Sequence, residues 1–353
     1  MSDYVYLDHA ATTPMHEEAV AAMLPVLTER FANPSGSHRF ARDARRAVDE
    51  ARDVVATAVG AKPGEVVFTG GGTEADNTAV FGVIDRVGGV PVCSVVEHHA
   101  VLAAVEARHG RLVAVDAAGH VDLDDLARAL QELADAPVSL VSVMAVNNEV
   151  GTITDIAAVS ALVRRLAPRA MLHSDAIQAA CWLDLREVMA HVDLMSLSAH
   201  KFGGPKGVGA LIVRAGSPIA PLLVGGGQER ERRSGTHNVG GIVAMAEALR
   251  LTVAQRDDEL VRIAALRDRL VDGIVRALPG VVETVDRNRK VAGSAHVCIT
   301  GIENEALLYL LDEAGVCATA ASSCASGAME PSHVLAAMGV PVELARGALR
   351  LTL

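Results

Sequence analysis

Between about residues 65 and 215 the chain repeats one phrase: a short β-branched run, a Gly-rich or polar turn, then an Ala-rich stretch of helical period. The runs are Glu65–Thr69, Val90–Val96, Val138–Ala145, Met171–Ser174, Val192–Ser198 and Val208–Val213. Strand alternating with helix over this length predicts an α/β fold, with a mostly parallel sheet covered on both faces. In such sheets ligands bind beyond the carboxyl ends of the strands, so the residues just after each run are where chemistry is expected. Those residues read GGGTE, EHHA, NNE, DAIQ and SAHK, a convergence of polar groups on one edge.

From about Gly240 a long stretch with Leu, Val and Ile at spacings of three and four leaves the sheet for a smaller α+β region. At 353 residues, one large domain with a smaller one and a cleft between them is the expected plan. We place the large domain at 15–245, and the small one at 1–14 together with 246–353.

A formal charge of −11 argues against non-specific nucleic-acid binding, which needs clustered Lys and Arg. The five cysteines are scattered, with no C-x-x-C pair, which suits neither a disulfide framework nor a structural zinc site and points to a reducing cytoplasm. No third ligand accompanies His98 and His99 at metal spacing, so no metal is expected. No stretch reaches the roughly 18 apolar residues of a membrane span, and the N-terminus lacks the apolar core of a signal peptide.

Gly70–Glu74 (GGGTE) stands between an apolar strand and a helix, where backbone N–H groups and the helix dipole suit an anion; a plain tight turn is the alternative. Lys201 directly follows a strand end among small residues, with Ser198 and His200 beside it as phosphate-type donors. Desolvation there favours the neutral amine that a Schiff base requires, whereas Lys206 in the same turn reads as a surface lysine. Asp175 and Gln178, three apart, can project toward one ligand. A buried Asp175 would suit a protonated pyridine nitrogen such as that of pyridoxal phosphate (PLP), although a helix N-cap uses the same residue type. His98 offers a flat ring and a proton carrier near neutral pH.

Nine ordered phrases complete the reading: YLDHAATTP at 6–14, NPSGSHRF at 33–40, GGTEADN at 71–77, EHHA at 97–100, NNEVGT at 147–152, HSDAIQ at 173–178, SAHKFGGPKGVGA at 198–210, GGGQERERRSGT at 225–236 and SSCASGAMEPSHVL at 322–335. With them the chain resembles the cysteine desulfurases of the class V aminotransferase group. The resemblance implies a fold type I PLP enzyme with a seven-stranded type of sheet and a small domain carrying a catalytic cysteine. It implies Lys201 as Schiff-base lysine, Asp175 at the pyridine nitrogen, Gln178 at the ring hydroxyl and His98 stacked on the ring. Gly72, Thr73, Ser198 and His200 would hold the phosphate, joined by Thr236 from the other subunit of a homodimer with shared sites. Asn148 and Arg350 would hold the substrate carboxylate.

Cys324 matches the nucleophile that takes sulfur from L-cysteine as a persulfide, leaving L-alanine, while Cys317 reads as a small buried hydrophobe. The small residues flanking Cys324 lead us to expect a loop able to receive sulfur inside and deliver it outside. The resemblance also implies a sulfur-acceptor protein, an iron-sulfur scaffold or a thiolation enzyme. The alternatives are another class V member, a selenocysteine lyase or an aminotransferase, and an inactive partner-binding scaffold.

Overall fold

The computed structural model describes residues 4–133, 137–320 and 332–353. Strand β1 (Val5–Tyr6) leads into helices α1 (Glu17–Thr28) and α2 (Arg39–Val59). Then come β2 (Val66–Thr69), α3 (Gly72–Val87), β3 (Val90–Ser94), α4 (His99–Glu106), β4 (Arg111–Val113), α5 (Leu123–Glu132) and β5 (Val138–Ser142). They are followed by α6 (Ile156–Leu166), β6 (Met171–Asp175), α7 (Leu185–His191), β7 (Leu194–Ser198), β8 (Gly209–Val213) and α8 (Val239–Ala277). The remainder is β9 (Val281–Glu283), β10 (Ser294–Ile299), α9 (Asn304–Glu313), β11 (Val316–Cys317), α10 (His333–Ala337), α11 (Val342–Ala345) and β12 (Ala348–Thr352).

The central sheet has seven strands in the order β2-β8-β7-β6-β5-β3-β4. Neighbours are parallel except that β8 runs against both β2 and β7, so the carboxyl ends of the other strands share one edge. Each of the six predicted runs overlaps a strand of this sheet, with Met171–Ser174 stopping one residue short of the end of β6. Sequence reasoning did not find β4, three residues beginning with an exposed arginine, too short to show a period. Nor did it find the reversal of β8. That strand is buried at every position, like β5 and β7, so no polar face marks its direction.

Alternation along the strands sorts the core into two layers. Val67, Leu140, Leu194 and Leu211 pack with Ala75, Ala79 and Val83 of α3 and Val101 of α4. On the other face Phe68, Leu172, Leu197 and Ile212 pack with residues of α2, α5, α6 and α7 and with the first half of α8. Each such side chain, fully buried, contributes about 1.5–3 kcal/mol relative to exposure.

The second half of α8 leaves this layer and packs under β9 and β10, which form an antiparallel three-stranded sheet with β12. β1 pairs in parallel with β11, and Asp8 bridges to Thr352 of β12. The first residues of the chain therefore cross from the small sheet to the carboxyl-end edge of the large one. No helix among the described residues is long and apolar enough to cross a membrane.

Candidate active site

α3 begins at Gly72 with no side chain capping it, whereas α5, α6 and α7 are capped by Asp122, Asp155 and Asp184. Its first N–H groups and the positive end of its dipole are thus left for an anion. A Cβ on Gly72 would stand 2.3 Å from Ile177 Cδ1 and 3.3 Å from Ser198 Cβ, so the close approach needs glycine.

Lys201 ends a short 3-10 turn directly after β7. Its Nζ donates to the carbonyls of Ala10 (2.6 Å) and Ala11 (2.8 Å), which ties the N-terminal crossing segment to the lysine. Asp175, 4% exposed at the end of β6, accepts from the Ile177 N–H at 2.9 Å. Burial raises its pKa to about 6, with that N–H and the charge of Lys201 pulling the other way. Gln178 Nε2 donates to the Ala10 carbonyl at 2.8 Å.

His98 caps α4, its Nδ1 accepting from Ala100 N–H at 3.1 Å, so the neutral ring carries its proton on Nε2. Burial, then the charges of Lys201, His99 and His333, lower its pKa to about 4. In the cofactor-free cleft His98 is therefore held neutral near pH 7, a donor through Nε2. Burial and Lys201 likewise lower His200 to about 4, and its Nδ1 lies 3.2 Å from Thr12 Oγ1.

Arg350, in the middle of β12 and 3% exposed, donates to Asp8 Oδ1 (2.7 Å) and to the Asn148 carbonyl (2.8 Å). Its Nε is buried without a hydrogen-bond partner among the described residues.

Ten of the twelve sequence-predicted positions line one cleft of about 310 Å³: Gly72, Thr73, His98, Asn148, Asp175, Gln178, Ser198, His200, Lys201 and Arg350. Thr236 stands apart from it, exposed beside Gly70 and Arg233. Cys324 lies outside the described residues. Cys317, expected to be buried, is half-buried on the two-residue strand β11. A cavity of about 340 Å³ backs onto Lys201 from the other side. Its walls include Trp182, Phe202, Ile263 and Val291, and it has neither the open helix start nor the buried carboxylates of the cleft.

Sequence reasoning missed three further carboxylates at this edge, Asp76, Glu97 and Glu149, all 2% exposed or less. Their phrases had been noticed, TEADN, EHHA and NNEVGT, without a role for the acid. Glu97 accepts from Met144 N–H at 2.8 Å, and burial pushes it well above the carboxylate range. Glu149 accepts from the Ser332 hydroxyl. The carbonyls of Ala10 and Ala11 were also missed, since a backbone acceptor leaves no mark on the sequence. Among the described residues no group of three or more His, Cys, Asp and Glu could hold a metal ion.

The aminotransferase class-V family profile matches residues 5–353. An IscS-like cysteine desulfurase of Mycobacterium tuberculosis is 45% identical over 361 aligned positions, covering 99% of this chain and 91% of that protein. The cysteine desulfurase IscS of Dictyoglomus turgidum is 41% identical, covering 100% and 90%. The solved structure of a NifS-like protein superposes with a TM-score of 0.91 at 33% identity, over 99% of this chain and 93% of that one. The chain belongs to the class-V aminotransferase family and, within it, to the cysteine desulfurases.

Proposed function

We propose that this chain is a PLP-dependent cysteine desulfurase: L-cysteine and the Cys324 thiol become L-alanine and a persulfide on Cys324. The observation that supports it most is the meeting of an uncapped helix start, a buried carboxylate and a lysine in one cleft. These fit PLP by the chemistry of each donor. When bound, PLP supplies an aldehyde for amines and a pyridinium ring that accepts electrons.

The N–H groups of Gly72 and Thr73, with Ser198 and His200, would take the phosphate, joined by the exposed Thr236 of a second copy. Asp175 as an anion would face the ring nitrogen, Gln178 would donate to the ring hydroxyl, and His98 would lie against the ring with its proton on Nε2. Lys201 Nζ would hold the cofactor and then, freed by the substrate amine, take the proton from the substrate α-carbon. The Arg350 guanidinium, which lines the cleft with Asn148, would fix the substrate carboxylate.

Sulfur leaves the substrate carbon for the Cys324 thiolate, and the overall reaction neither consumes nor releases electrons. The product persulfide must be handed on, so the chain works with a sulfur acceptor, an iron-sulfur scaffold or a thiolation enzyme, in a reducing cytoplasm. The test is a visible spectrum of the PLP-loaded protein before and after L-cysteine, with alanine quantified. Yellow protein that forms alanine supports the reading; protein that takes up no PLP or forms no alanine overturns it.

A further inference from the structure

Under the cleft runs a buried polar chain that this reaction does not use. Asp76, one turn into α3, is 0% exposed and lines the cleft with Asp175; among the described residues no backbone N–H donates to its carboxylate, and the Ser196 hydroxyl is its hydrogen-bonding neighbour. His173 Nε2 stands 3.7 Å from Asp76 Oδ1 and 2.9 Å from Ser196 Oγ, while its Nδ1 is 2.8 Å from Ser142 Oγ. The sheet register builds this row: His173 pairs with Ser142 of β5, and Asp175 pairs with Ser196 of β7. His173 and Asp175, two apart on β6, point to the face that carries α3.

Several titratable groups meet Asp76 here. His173 and Asp175 come from β6, Glu97 and His98 from the turn after β3, and Lys201 from the turn after β7. Two close carboxylates in such surroundings do not both ionise. Asp175 has the Ile177 N–H and the charge of Lys201 on its side, and Glu97 has the Met144 N–H. Asp76 has no such backbone donor. Burial first, and then the negative charge of Asp175, push it well above the carboxylate range, with the Ser196 hydroxyl working the other way and Glu97 adding to the rise. Burial holds His173 neutral, its pKa lowered to about 3, so no imidazolium compensates.

We propose that Asp76 is a positioning residue that remains protonated at neutral pH and thereby leaves Asp175 as the anion facing the ring nitrogen of the cofactor. The second half of this statement rests on the PLP reading of the cleft; the proton on Asp76 does not.

Infrared spectra of the cofactor-free protein near pH 7 test the proton. The carbonyl stretch of a protonated carboxylic acid should be present in the wild type, with one component lost in Asp76→Asn and that same component retained in Glu97→Gln, whose own buried carboxyl accounts for a separate one. A wild-type minus Asp76→Asn difference showing a carboxylate instead overturns the proposal. In Asp175→Asn the Asp76 band should titrate away at a pH lower by about one unit or more, since one unit is 1.36 kcal/mol of interaction; an unmoved midpoint overturns the coupling. In PLP-loaded protein, Asp76→Asn replaces one neutral group by another, so the pH midpoint of the visible band should move by less than about 0.3 unit. A fall of about a unit, as expected when an anion's charge is removed, overturns it. Failure to bind PLP would sink the reading of the cleft and leave the infrared arms to decide on Asp76.

Discussion

Glu229 and Asp175 are both carboxylates taken out of water, 6% and 4% exposed, and their acidities move apart. Burial alone would raise Glu229, but Arg52 grips it with two hydrogen bonds (2.7 and 2.6 Å), His237 and Phe68 N–H add two more, and its pKa falls to about 2. Asp175 keeps one backbone donor and rises to about 6. The difference separates a clamp from a site. Residues 229–231 are non-glycine yet left-handed, with φ of 49°, 57° and 65°, and the Arg52 grip offsets a strain of order 1–3 kcal/mol each. Around Asp175 burial leaves capacity unfilled, and that capacity is what an incoming pyridinium and carboxylate would use.

The largest expected effect lies in the cleft. Lys201→Ala should cut alanine formation at least about 10³-fold while thermal unfolding shifts by no more than a few degrees. Comparable losses of activity and stability would erase the distinction between clamp and site.

In the clamp the balance reverses. Glu229→Gln leaves Arg52 buried beside a neutral group and should lower unfolding free energy in urea by about 3 kcal/mol, with turnover per folded molecule reduced far less than in Lys201→Ala. A mild change in stability would show that Arg52 finds another partner.

Asp175→Asn sharpens the contrast through its sign. A carboxylate whose folded pKa of about 6 exceeds its unfolded 3.8 costs nothing below about pH 4 and costs most above pH 6. The variant should therefore stabilise cofactor-free protein near pH 7, by about 1–3 kcal/mol, while weakening PLP binding. Glu229 runs the other way: its contribution is complete above its unfolded value of 4.5 and is lost as pH falls toward 2. Stability against pH should show both limbs, the first missing in Asp175→Asn and the second in Glu229→Gln. The smallest effect belongs to the exposed Lys206, five residues from Lys201: Lys206→Ala should keep activity within about twofold, as surface changes usually do.

The sheet and the residues at its carboxyl edge were legible because strand runs and the phrases after them are local. Lys201, Asp175 and Gln178 announce themselves by following a run. Asp76 did not, because TEADN reads as the polar start of a helix and only the packing of α3 on β6 and β7 takes that aspartate out of water. The Arg52–Glu229 pair joins residues 177 positions apart, a separation no local pattern reports. The direction of β8 and the acidity of His98 depend on what surrounds them, which composition does not reveal.

The central claim is that this cleft moves sulfur from cysteine to Cys324, and a single turnover tests it most directly. PLP-loaded protein given one equivalent of L-cysteine, alkylated and digested, should yield alanine and one extra sulfur on the peptide carrying Cys324. None should be found on those carrying Cys93, Cys181, Cys298 or Cys317, and Cys324→Ala should keep its colour yet form neither product. Alanine formed at the wild-type rate by Cys324→Ala, or the extra sulfur on Cys317, would contradict the account.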